Sequence, residues 1–149
     1  MLKKILEFVV ELLFGKRRQT KEYSEISHNE VYDIVSRVFP RAKIYLSDQK
    51  YKLISVGKLK EFLAQDKTDE MKYKAERFDC DNFSYRLMGY IQDWNADLAF
   101  GIIWITGKNY SHALNCFISN ERKFYLVEPQ SDAVYEPNNK KYKGWLVIM

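Results

Sequence analysis

Apolar residues at Leu2, Ile5, Leu6, Val9, Leu12 and Leu13 recur at helical spacing, with Lys4, Glu7 and Glu11 on the other side. The pattern predicts an amphipathic helix. Gly15 stops it, and Lys16, Arg17 and Arg18 suit its C-terminal end, giving an N-terminal unit over residues 1–18. Residues 19–26 are polar and read as a linker. A second helix is predicted from Ser27, where Glu30 three positions on completes a capping box. It buries Val31, Ile34, Val35 and Val38 and ends at Pro40. Lys43–Leu46 and Tyr51–Ile54 read as short extended pieces. A third helix over Val56–Gln65 turns Leu59, Phe62 and Leu63 inward, and the charged run Asp66–Lys74 is a surface loop.

After Asp79 the pattern is again helical, with Phe83, Leu87, Tyr90, Ile91 and Trp94 on one face. From Leu98 onward the chain changes character. Ala99–Thr106, Ala113–Ile118, Lys123–Glu128 and Trp145–Met149 are rich in branched and aromatic residues and are separated by turn signals. Helices first and strands after predict an α+β domain over residues 27–149, with the Cys80 helix packed on an antiparallel sheet.

Composition narrows the function classes. The 149 residues are enough for one hydrophobic core, and 46% hydrophobic with 30% charged is ordinary for a globular chain. The net charge of +4 is scattered and no recognition motif accompanies it, so nucleic acid is not indicated as a partner. Two cysteines make neither a disulfide framework nor a zinc site, and reduced thiols imply a cytoplasmic setting. The N-terminal run is not a signal peptide, because Glu7 and Glu11 interrupt it and no small-residue cleavage site follows. It is also too short to span a bilayer. An exposed stripe of this kind packs on its own domain, self-associates, or lies on a membrane surface. The acids disfavour the membrane.

Asp79 suits an N-cap, which places Cys80 at the first position of its helix. There a thiol meets unpaired N–H groups and the positive end of the helix dipole, both of which favour the thiolate. The flanking charges of Asp79 and Asp81 oppose that, so a histidine would supply much of the activation. The plainer role for Cys80 is a small buried residue at a helix base. Cys116, mid-strand among Leu114, Phe117 and Ile118, reads as core. Trp104 and Trp145 read as core or cleft wall.

His112 opens one strand, Glu128 closes the next, and Ser119–Arg122 is the turn between them. The register that faces Leu114 with Leu126 and Cys116 with Phe124 makes one apolar face. It also sets His112 opposite Glu128, with Cβ atoms about 4.5–5.5 Å apart. A carboxylate there orients an imidazole, as the third member of a triad does. The plainer role is a strand-end ion pair.

Taken together, the segments Phe78-Asp79-Cys80-Asp81-Asn82-Phe83, Ser111-His112-Ala113-Leu114-Asn115 and Val127-Glu128-Pro129-Gln130 resemble a small domain. It is the papain-like or transglutaminase-like cysteine protease domain at the C-terminus of a mushroom agglutinin. The resemblance covers residues 27–149. It implies Cys80 as nucleophile, His112 as general base and Glu128 as orienting acid. It further implies a divalent cation, calcium or manganese, near Asp81 and Gln130, whose oxygens are suitable hard ligands. Papain-like enzymes use a Gln upstream of the Cys as oxyanion donor, and the residues from Lys74 to Asp79 include none.

Two functions follow. The first is a cysteine hydrolase or acyltransferase acting on a peptide or protein substrate through a thioester. The second is a catalytically silent binding or scaffold module recruited by its N-terminal helix.

Overall fold

The computed structural model describes residues 23–149, so the amphipathic helix expected at residues 2–14 lies outside the described residues. The described chain runs β1 (Ser24–Ser27), α1 (His28–Val38), β2 (Lys43–Tyr45), β3 (Lys50–Leu53), α2 (Val56–Leu63), α3 (Cys80–Trp94), β4 (Phe100–Thr106), β5 (Ser111–Ile118), β6 (Phe124–Glu128), β7 (Ala133–Tyr135) and β8 (Lys143–Ile148). The expected capping box is present. Glu30 N–H donates to Ser27 Oγ at 3.4 Å, and Ser27 N–H donates to Glu30 Oε2 at 3.0 Å. α1 stops two residues before Pro40, whose ring disfavours helical backbone in the residue before it.

One expectation about the N-terminal half is corrected. Ser24–Ile26, read as the end of a polar linker, form β1 and pair with β3. Ile26 alone in that stretch faces the core, too little periodicity to signal a strand.

The main sheet has six strands in the order β2-β8-β4-β5-β6-β7. β4 pairs antiparallel with both β5 and β8, and β5, β6 and β7 continue antiparallel. β2 runs parallel to β8. The expected α+β layout on an antiparallel sheet is therefore wrong on two counts. The sheet is mixed, and with eight strands to three short helices the described fold is mostly β. Strand patterning reports which faces are buried, and says nothing of which distant strand closes an edge.

Both faces of the sheet are covered. On one, Val31 and Val35 of α1 pack with Ile103, Ile105, Leu114, Cys116, Leu126 and Val147. On the other, Leu59 and Leu63 of α2 and Leu87 and Ile91 of α3 pack with Phe100, Phe117 and Val127. Leu87 is fully buried at this second interface, so Leu87→Ala removes about 2–5 kcal/mol and loosens α3 from the sheet. Gly101 lets β4 and β8 close up, because a Cβ there would collide with the Ile148 carbonyl. No helix among the described residues is long and apolar enough to cross a membrane.

Candidate functional site

The start of α3 is built by its cap. Asp79 is extended, with φ −112° and ψ −160°, and its N–H donates to Asn82 Oδ1 at 3.1 Å. Cys80 then becomes the first helical residue, as expected, and is half-buried. Two polar residues inside the core lock this turn to the sheet. Ser84 Oγ donates to the Cys80 carbonyl at 2.9 Å. The Asn115 amide, fully buried, donates to the Ser84 carbonyl at 3.0 Å and the Gly101 carbonyl at 3.1 Å. An unpaired buried amide is costly, so these bonds hold α3 at one height against β4 and β5.

That height brings the thiol to β5. The Ala113 N–H donates to Cys80 Sγ at 3.4 Å, and Ala113 follows His112 directly. The thiol thus meets the helix N-terminus and a strand N–H together. Among the described residues this is the sulfur's hydrogen bond, and none joins it to the imidazole. Cys116 is fully buried, and burial pushes its thiol well above the usual range.

His112 Nε2 and Glu128 Oε2 lie 2.6 Å apart, with side chains 25% and 19% exposed. The other carboxylate oxygen, Oε1, accepts the Gln130 N–H at 3.2 Å and the Gln130 amide at 3.5 Å. Cys80, His112, Glu128 and Gln130 are therefore gathered around the open ends of β5 and β6. The register that does so is not the expected one. Cys116 faces Leu126 and Ile118 faces Phe124, two residues from the expected pairing. A shift of two keeps every side chain on its face, and Glu128 reaches His112 diagonally.

The Asp81 carboxyl is held above its usual range, first by a hydrogen bond with Asp79, then by burial and the Asp79 charge. Two hard-oxygen groups thus crowd beside Cys80. The expected second ligand, Gln130, turns its amide to Glu128. No group of three or more His, Cys, Asp or Glu side chains gathers for a metal ion among the described residues. With at most two side-chain donors here, no chemical step is derived through a cation.

Sequence reasoning missed Ser84 and Asn115, although a lone Asn between Leu114 and Cys116 is a signal that a buried amide is needed. Trp145, read as core or cleft wall, is not core, being 48% exposed. Tyr110, two residues before His112, is half-exposed. An open groove of about 580 Å³ lies elsewhere, between α2 and α3, and is lined by Phe62, Arg86, Tyr90 and Trp94.

A mostly β domain with one part-buried polar centre is the class that these observations define. Residues 51–134 match the family described as Agglutinin C-terminal, and the chain belongs to that family. No curated protein matches the sequence. Two solved structures share the fold. One is a PSL1a–E64 complex, with a TM-score of 0.74 and 21% identity over 84% of this chain and 51% of that one. The other is Polyporus squamosus lectin bound to the human-type influenza-binding epitope Neu5Aca2-6Galb1-4GlcNAc, with a TM-score of 0.71 and 20% identity over 84% of this chain and 49% of that one. The chain spans about half the length of each.

The agglutinin part of the expected resemblance stands, and the rest is corrected. The matched family is an agglutinin family and one of the fold neighbours is a lectin, which removes the support for a papain-like or transglutaminase-like cysteine protease fold. The expected hydrolase or acyltransferase activity falls with it, as does the silent papain-like scaffold. The physical reason lies in how little the motif specifies. A Cys at a helix start and a His–Glu pair on adjacent strands are local arrangements, and they do not name a reaction by themselves.

Proposed function

We propose that this chain is a carbohydrate-binding module, and that Cys80, His112, Glu128 and Gln130 form the polar centre of its ligand site. The observation that carries this is the 2.6 Å His112–Glu128 pair, part-buried and backed by Gln130, with the Cys80 thiol against the N–H of the residue after His112. Sugar hydroxyls both donate and accept, and a carboxylate, an imidazole and an amide at one point offer both roles. Membership of an agglutinin family supports the ligand class. So does the sialylated glycan held by the lectin that shares the fold. Within the site Glu128 orients the His112 imidazole, and the Cys80 thiol lies against the N–H of Ala113, the next residue along β5.

Calorimetric titration with a panel of neutral and sialylated oligosaccharides tests this. The protein should bind at least one, and His112→Ala and Glu128→Ala should each weaken binding about tenfold, the loss of one charge-assisted hydrogen bond. If nothing on the panel binds, while an amide substrate turns over in a manner that Cys80→Ala abolishes, the module is not a lectin.

Calcium or manganese is proposed as a further ligand, through Asp81 with Gln130. Calcium should then raise the melting temperature, and Asp81→Asn should remove the rise. An unchanged melt in the wild type removes the cation from the site.

A further inference from the structure

α3 carries more apolar surface than the sheet covers. Phe83, Leu87 and Ile91 are buried, whereas Tyr90 and Trp94, four residues apart on one side of the helix, are 41% and 37% exposed. Phe62 of α2 stacks on Trp94, with ring centroids 4.6 Å apart. Arg86 lays its guanidinium 4.8 Å from the centre of the Tyr90 ring. All four side chains line the 580 Å³ groove between α2 and α3. Lys58 and Lys67 line it too, together with Glu61, Asp66 and Asp93.

The first described residue stands beside this groove. Tyr23 packs on the cluster that holds Leu59 and Leu63 of α2 with Leu87 and Ile91 of α3, as Phe62 does. Lys52 Nζ lies 5.1 Å from the centre of the Tyr23 ring, and the Lys52 N–H donates to the Asp97 carbonyl at 2.6 Å. Asp97 is three residues past Trp94, so Tyr23 is within a few residues' reach of the end of α3. Residues 2–14, outside the described residues, carry the apolar stripe of Leu2, Ile5, Leu6, Val9, Leu12 and Leu13. Residues 15–22 join them to Tyr23, and eight residues span at most about 26–29 Å. A helix over residues 2–14 would be about 20 Å long, so the tether is long enough to lay it along the groove.

We propose that residues 2–14 dock as an amphipathic helix in the α2–α3 groove of their own chain, with the apolar stripe on Phe62, Tyr90 and Trp94. A helix whose anchors recur at i, i+3, i+4 and i+7 is the shape that an aromatic-lined groove between two helices accepts. The tether decides between this chain and a second copy. A short linker holds its segment at an effective concentration of roughly millimolar, which a copy free in micromolar solution does not match. Charge decides against a membrane. Glu61, Asp66 and Asp93 would face anionic head groups across the groove. The segment instead offers Lys3 and Lys4 to those carboxylates, and Glu7 and Glu11 to Lys58 and Lys67. Cys80 opens the helix that Trp94 closes, so the docked segment braces α3 on the side that the sheet leaves bare. The inference stands apart from the ligand class of the polar centre.

Hydroxyl-radical footprinting of the full chain at micromolar concentration, read by mass spectrometry, tests the docking. In a variant carrying Leu6→Asp and Val9→Asp together, Tyr90 and Trp94 should label severalfold faster than in the wild type. Tyr45 and Trp145, exposed on β2 and β8, should label alike in both. Cys116 is buried, so its resistance to alkylation shows that the variant has kept its fold. Where that resistance is lost, Leu6→Ser with Val9→Ser takes the variant's place. Equal labelling of Tyr90 and Trp94 in wild type and variant overturns the docking. Protection that fades on dilution, with light scattering showing a dimer at the higher concentration, assigns the groove to a second copy and overturns it as well. So does protection that appears only when phosphatidylserine vesicles are added.

Discussion

His112 and Glu128 meet at 2.6 Å although β5 and β6 do not place them opposite one another. Carrying the observed ladder one step past Asn115 and Val127 brings Leu114 beside Glu128. The imidazole and carboxylate therefore bridge a diagonal, a separation that long side chains span. Gln130 closes the arrangement from behind by donating to the free carboxylate oxygen.

That pair should be felt in stability as well as in binding. His112→Ala leaves a part-buried carboxylate with only Gln130 as partner, and should cost about 1 kcal/mol in urea unfolding. Glu128→Gln keeps an acceptor and should cost less. Equal costs for both would mean that the pair does not act as a unit.

The two thiols should separate cleanly in alkylation at neutral pH. Cys80 is half-buried at a helix N-terminus, whereas Cys116 is buried and its thiol is pushed up. Iodoacetamide with peptide mapping should modify Cys80 in the folded protein and Cys116 only after unfolding. Equal slow labelling of both would remove Cys80 as a reactive thiol.

Asn115 should matter for position as well as for stability. Asn115→Ala removes two buried bonds that tie α3 to β4 and leaves a gap in the core, and should destabilise by about 2 kcal/mol. It should also slow Cys80 labelling, because the α3 start is no longer held at its height. A loss of stability with unchanged labelling would show that Ser84 alone positions the turn.

Asp132, two residues after Gln130, provides a pH test of stability. Burial first, then the charges of Asp69 and Asp66, raise its carboxyl to about 6 from a usual 3.8. A raised acid contributes stability that is fully present below the unfolded value and is lost as pH climbs through the folded one. Stability should therefore fall between about pH 4 and 6 and level off above. Asp132→Asn should flatten that decline. After allowance for solvent screening, its gain at pH 7.5 relative to pH 3.5 should be about 1 kcal/mol. Parallel pH profiles for the two proteins would contradict the assignment.

What the sequence determined by itself is what near neighbours along the chain decide. The Ser27–Glu30 box, the Asp79 cap with Cys80 as first helical residue, the inward faces of α1 and α2, and Phe83, Leu87 and Ile91 of α3 follow from spacing within a few positions, whereas Tyr90 and Trp94, expected on that same face, are exposed. The buried place of Cys116 follows from strand alternation. Tertiary structure decided everything that strand alternation cannot distinguish. Registers two residues apart bury identical faces, so the apolar pattern fits the observed β5–β6 ladder and the expected one equally. β7 is too short to show a period, and the parallel pairing of β2 with β8 joins segments about 100 residues apart that share no local signal. The Trp145 bulge and the Ser84–Asn115 tie exist only once strands and helix are packed. Hence three chemically suggestive residues could be picked from the sequence and were brought to one place. Their surroundings, an agglutinin-family fold, came from long-range packing that no short motif encodes.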